Sequence, residues 1–140
     1  METNLGKYIS IIYRKGQIYW GKCLKEQDIA SAEYPILLIL LQKEGITQEA
    51  IATELDLDKS AVARSVQSLL EKGFIERKKD DIDRRCNRIY LTEKGYKSKE
   101  SLQETKADWE TILAKSFTGE ERAEAKVLLG KMVENIKQMA

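Results

Sequence analysis

Residues 47–95 change periodicity twice with almost no spacer between, and few folds accommodate that succession. Thr47-Gln48-Glu49-Ala50-Ile51-Ala52-Thr53-Glu54-Leu55 has the apolar spacing of a short helix, and Asp56-Leu57-Asp58 interrupts it with residues that favour turns. Asp58 suits the N-cap of a second helix, expected from about Lys59 to Lys72. Its apolar face carries Val62, Val66, Leu69 and Leu70, and its polar face Lys59, Ser60, Arg64 and Gln67. Gly73 stops it. Residues 74–79 are then a strand candidate and residues 80–85 a polar turn, after which Asn87, Ile89 and Leu91 alternate with Cys86, Arg88 and Tyr90 as a returning strand.

Two helices around so short a turn make a helix-turn-helix, in which the front of the second helix reaches base edges in a major groove. Residues 47–73 alone fit a purely structural helical hairpin equally well. The strand pair that follows separates the two readings, because a hairpin with a basic tip beside such a helix is a wing. On these residues the sequence resembles the MarR family of winged-helix transcription regulators. The family's Asp-x-Arg, followed after a short strand by Leu-Thr-x-x-Gly, stands here as Asp83-Arg84-Arg85 and Leu91-Thr92-Glu93-Lys94-Gly95. Leu70-Glu71-Lys72-Gly73-Phe74-Ile75-Glu76-Arg77 is similar to the family's approach to the wing. The organisation matches over nearly the whole chain, with the diagnostic residues inside 47–95.

A formal net charge of +1 makes the chain no polycation, so attraction to nucleic acid has to come from the distribution of charge. Residues 59–99 hold 12 Lys or Arg against 6 Asp or Glu, a local +6, leaving 12 against 17, or −5, elsewhere. Such a patch releases counterions from phosphates and makes binding salt-dependent. A solvated basic face has the same composition; its coincidence with helix, turn and wing is what favours DNA. No apolar run approaches the roughly 20 residues of a membrane span, and the N-terminus lacks a basic segment with a secretory core, so a cytoplasmic protein is expected. There is no His. His-based catalytic triads and His-containing metal sites are therefore excluded, and no phosphate-loop or dinucleotide pattern occurs, so neither an enzyme nor a cofactor or metal site is expected.

Outside the reading head the pattern is helical. Residues 5–29 are apolar at Leu5, Tyr8, Ile9, Ile12, Tyr19, Trp20, Cys23 and Leu24, with Gly16 and Gly21 as points of bending or close packing. Ser31 begins a second helical signal, Pro35 fits its first turn, and Ile36-Leu37-Leu38-Ile39-Leu40-Leu41 is apolar all round, as a buried central helix would be. Thr92 is expected to cap one long helix reaching about Phe117, packed through Tyr96, Leu102, Trp109, Ile112 and Leu113. Thr118-Gly119-Glu120-Glu121 is a capping-box pattern before a last helix bearing Val127, Leu128, Met132, Val133 and Ile136. The expected fold is mainly α with a small β-hairpin wing: a winged helix-turn-helix over 31–91, an N-terminal dimerisation helix over 1–30, and C-terminal dimerisation helices over 92–140. The resemblance assigns the flanking helices to a homodimer interface; packing within one subunit is their other use.

A two-fold dimer places two such helices in successive major grooves of double-stranded DNA, so the expected operator is a pseudopalindrome. Ser60 and Arg64, near the exposed front of the helix, are the major-groove candidates, and Lys59 a phosphate contact. The resemblance implies that Arg85 enters the adjacent minor groove, where a narrow A/T-rich tract favours a cation, and that Asp83 pairs with an Arg to orient the wing. Arg84 and Arg88 contact the DNA backbone or support the hairpin. The resemblance further implies an effector pocket between the dimerisation helices and the winged domain, often taking phenolic or other aromatic compounds. Tyr8, Tyr13, Tyr19, Trp20 and Tyr34 are its lining candidates, and ordinary packing is open to each. Together these point to a ligand-responsive repressor. A winged-helix module for an acidic protein partner, or a cysteine-based oxidant sensor, are the alternatives. Cys23 and Cys86 form no CxxC pair, their placement departs from the organic-hydroperoxide-sensing branch of the family, and Cys23 is expected to be buried as a small apolar residue.

Overall fold

One almost wholly apolar helix sets the centre of the fold. This is α2 (Tyr34–Gln42), which places Pro35 in its first turn, where no N–H partner is needed, and buries Tyr34, Ile36, Leu37, Ile39 and Leu40. The computed structural model describes residues 3–139 and divides into two units, Met1–Lys106 and Ala107–Ala140. The first unit runs through α1 (Leu5–Cys23), a 3-10 turn (Lys25–Gln27), α2, β1 (Ile46–Thr47), α3 (Gln48–Leu55), α4 (Lys59–Lys72), β2 (Ile75–Lys79), β3 (Asn87–Leu91), α5 (Glu93–Lys97) and the first half of α6 (Lys99–Leu113). The second holds the rest of α6 and α7 (Gly119–Lys137).

Around α2 the core collects Ile51 from α3, Val62, Val66 and Leu69 from α4, Phe74 and Ile75 at the start of the hairpin, Ile89 and Leu91 from β3, and Leu102 from α6. Each such side chain contributes about 1.5–3 kcal/mol when fully buried. The three strands are antiparallel in the order β1-β3-β2, with Ile75 opposite Leu91 and Lys79 opposite Asn87. Strand β1 was not visible in the sequence: two residues, pairing with Ile89 and Arg88, are too few to show a period of two.

The sequence expectations need correction along α1, at Cys23 and after Thr92. Helix α1 ends at Cys23 rather than near Ile29: Leu24 N–H still reaches back to the Trp20 carbonyl, but the chain then passes through the 3-10 turn to Asp28, whose φ of 63° is left-handed. Gly16 and Gly21 both lie inside the continuous helix. Cys23 is exposed, not buried, because its neighbour Leu24 takes the core position. The single helix expected from Thr92 is two, broken at Ser98, whose buried hydroxyl donates to the Gly95 carbonyl at 2.6 Å. Of its expected packing residues Leu102 is buried and Trp109 half-buried, whereas Tyr96, Ile112 and Leu113 are exposed. Among the described residues no helix is long and apolar enough to cross a membrane.

Candidate nucleic-acid interface

The geometry of α4 follows from its two ends and its period. Asp58 occupies the N-cap with extended backbone, although its side chain makes no capping hydrogen bond, and Gly73 closes the helix at φ 82°. Between them Val62, Val66 and Leu69 turn into the core, which forces Lys59, Ser60, Arg64 and Gln67 to the outside. Gln67 bonds Glu71 at 3.2 Å, whereas among the described residues Arg64 has no hydrogen-bond or ion-pair partner. The front of α4 thus offers an ammonium, a hydroxyl and an unengaged guanidinium. Helix α3, capped by the Thr47 hydroxyl on Ala50 N–H at 3.1 Å, packs behind it, and Asp56 at φ 51° makes the turn between the two.

The wing is built on Asp80, which the sequence reading passed over. One carboxylate oxygen accepts the backbone N–H of Ile82 at 3.1 Å and of Asp83 at 2.8 Å, and the other accepts Arg88 Nε at 2.6 Å. These bonds, led by that from Asp83 N–H, hold the Asp80 carboxyl below its ordinary range. Asp83 in turn accepts Arg85 Nε and backbone N–H at 3.1 Å each, and the Arg85 bond is the main cause of its own lowered titration. Arg85 lies at the tip, its side chain 91% exposed; Arg84 is exposed beside it, 3.9 Å from Asp81. Arg88 is elsewhere: it sits on the central strand and donates its Nη1 to the Gly45 carbonyl at 2.7 Å. The structure therefore gathers Lys59, Ser60 and Arg64 on α4, and Arg84 and Arg85 on the wing tip, but not Arg88. The signal that would have found Asp80 is an Asp two and three residues ahead of the N–H groups of a turn, a pattern that Asp81 and Asp83 next to it obscure.

The Leu-Thr-x-x-Gly segment now has a physical reason. The Thr92 hydroxyl donates to the Gly73 carbonyl at 2.6 Å and accepts Gly95 N–H at 3.2 Å, while Thr92 N–H bonds the Phe74 carbonyl. Lys94 bonds the Lys72 carbonyl at 2.7 Å and lies over the Phe74 ring. These contacts fasten α5 to the junction of α4 and β2. A second fastening holds the far side of α4. Glu33, buried, accepts Lys72 Nζ and Ala30 N–H, each at 2.8 Å; burial pushes its carboxyl up, and the bonds from Lys72, Ser68 and Ala30 together outweigh that and bring it below the ordinary value.

Of the aromatic candidates, Trp20 and Tyr34 are brought together. Tyr8 and Tyr13 are exposed on α1, Tyr19 is half-buried, and Trp20 stacks on buried Tyr34 with ring centroids 5.1 Å apart. A surface cavity of about 500 Å³ along α1 is lined instead by Arg14, Gln17, Ile18, Gly21, Lys22, Lys25 and Ser31. Cys86 faces the carboxylates of Asp83 at 3.6 Å and Glu49 at 3.9 Å; burial and those charges push its thiol up, favouring the less reactive protonated form. No group of three or more His, Cys, Asp or Glu suited to a metal ion occurs among the described residues.

Comparison with known proteins places this arrangement. The MarR family model matches residues 29–87, from Ile29 through the wing loop. A MarR transcriptional regulator from Methanosarcina mazei Go1 is 38% identical, with a TM-score of 0.91 over 97% of this chain and 98% of that one. The HTH-type transcriptional regulator BilQ of Clostridium symbiosum strain WAL-14163 is 28% identical over 132 residues, covering 94% of this chain and 92% of BilQ. A cysteine-to-serine mutant of MarR from E. coli, solved in complex with operator DNA, is 27% identical with a TM-score of 0.82 over 91% of this chain and 92% of that one.

Proposed function

The chain belongs to the MarR family of transcription regulators, and from that premise we propose that it works as a ligand-responsive repressor, binding pseudopalindromic operators as a homodimer. The observation that carries this reading is the pairing on one scaffold of an α4 front bearing Lys59, Ser60 and Arg64 with a wing tip bearing Arg84 and Arg85. Lys59 contacts phosphate, Ser60 and Arg64 read base edges, and Arg85, aimed by Asp83, enters the neighbouring minor groove. Two such heads on a two-fold axis read two half-sites about 10–10.5 base pairs apart. The E. coli MarR complex with operator DNA, on the same fold, supports operator DNA as the ligand.

Arg64→Ala decides whether α4 reads sequence. Loss of a bidentate base contact costs about 1–3 kcal/mol on the operator and little on random duplex; equal losses on both, in a competition titration, would show that Arg64 serves only as charge. Repression is relieved by an aromatic effector that binds more tightly to a spacing of the two heads unable to span both grooves. By linkage an effector that weakens operator binding tenfold binds about tenfold more weakly to the operator complex, which calorimetry with and without operator DNA measures. Neither alternative is favoured: burial and the neighbouring carboxylates push the Cys86 thiol up, away from the reactive thiolate, and the relatives are named as transcription regulators rather than interaction modules.

A further inference from the structure

We propose that Arg88 is a positioning residue for DNA recognition: clamped between Asp80 and the Gly45 carbonyl, it locks the wing to the helix-turn-helix and so delivers Arg85, without touching DNA itself. The proposal rests on the regulator reading above. Arg88 lies on the central strand β3, opposite Lys78 of β2 and Thr47 of β1. Its Nε bonds Asp80 at 2.6 Å, the residue whose other oxygen gathers the N–H groups of Ile82 and Asp83 and so shapes the loop that presents Arg85. Its Nη1 bonds the Gly45 carbonyl at 2.7 Å, and Gly45, at φ 78° and with its own N–H on the Ile89 carbonyl, leads directly into β1 and the Thr47 cap of α3. One guanidinium therefore spans the first residue of the wing loop and the residue that enters the helix-turn-helix. Exposure separates it from its neighbours. The side chains of Arg84 and Arg85 are 68% and 91% exposed, whereas those of Arg88 and Asp80 are 42% and 15%. A planar fork with two fixed donor directions is needed for this bridge, and an ammonium does not reproduce it.

The test places Arg88→Gln, Arg88→Lys and Asp80→Asn on an operator with A/T-rich flanks and on one with G/C-rich flanks, in the natural and Arg85→Ala backgrounds, with thermal melting recorded for each. Each of the three is expected to weaken the A/T-flanked complex roughly tenfold and to erase the flank preference. In the Arg85→Ala background each should cost less than about twofold, because the residue acts through Arg85. Asp80→Asn combined with Arg88→Gln should be no weaker than either alone. A loss from Arg88→Gln that adds in full to that of Arg85→Ala overturns the proposal, as does recovery by Arg88→Lys, which would mark a phosphate contact. Should Arg88→Gln melt out, Asp80→Asn, nearly identical in shape, carries the same cycle, and an intact flank preference there overturns the proposal. A natural protein that distinguishes no duplex from another sinks the regulator reading itself; specific binding with additive losses sinks only this inference.

Discussion

A Cβ on Gly95 would lie 2.3 Å from the Phe74 carbonyl oxygen and 2.9 Å from Leu91 Cδ2, so the close approach of α5 to the β2 and β3 ends depends on that residue having none. The first is a backbone atom and the second the terminal methyl of a buried leucine, so relief requires α5 to move. Gly95→Ala is accordingly expected to lose about 3 kcal/mol, seen as a lower urea midpoint at unchanged slope; a midpoint equal to that of the natural protein would mean the junction yields freely. The Leu91-Thr92-Glu93-Lys94-Gly95 segment was legible as a motif because its residue types are distinctive, while its reason is a set of contacts with Gly73 and Phe74 that exist only after folding. Asp80 was not legible. Three aspartates within residues 80–83 look alike in sequence, and the fold separates them: Asp80 turns inward to Arg88 while Asp81 stays fully exposed.

At the scale of elements, legibility followed redundancy of signals. Helix α4 has a capping residue, an unbroken apolar period and a stop glycine, and its expected limits match those observed. Helix α1 has no comparable stop: its end is set by Leu24 sinking into the core and Asp28 adopting a left-handed backbone, neither of which periodicity reports. The same holds for the break between α5 and α6 at Ser98, whose hydroxyl and N–H both bond the Gly95 carbonyl. The wing carries a pH signature of its own. Asp80 and Asp83 both titrate below the ordinary carboxylate range because the folded loop bonds their charged forms. Their contribution is thus fully present above the unfolded value of about 3.9 and is lost as pH falls through the lower folded values. The amide resonances of Ile82 and Asp83 should hold their positions from neutral pH to about pH 4 and shift only below it. Movement centred near pH 6 would contradict the two carboxylates as the wing's fastening.

For the whole molecule, the sequence showed that both ends are apolar helices but not what covers them. In the single chain Leu5, Tyr8, Ile9, Ile12 and Ile18 of α1 and Val127, Leu128, Leu129, Val133 and Ile136 of α7 are exposed, more apolar surface than isolated exposed side chains account for. A second copy of the chain is the cover we propose. Truncation after Phe117 should then reduce self-association in sedimentation and operator affinity together, since a lone head loses the linked second half-site; a truncated protein that stays a full-strength dimer would place the interface on α1 and its surroundings. The central claim, that two heads read DNA sequence on a two-fold axis, is tested most directly by selecting from random duplex DNA with the purified full-length protein and sequencing what is retained. Enrichment of an inverted repeat whose half-sites are centred about 10–10.5 base pairs apart is the expected result. Retained duplexes with no common sequence, held with the same affinity as the starting pool, would contradict it.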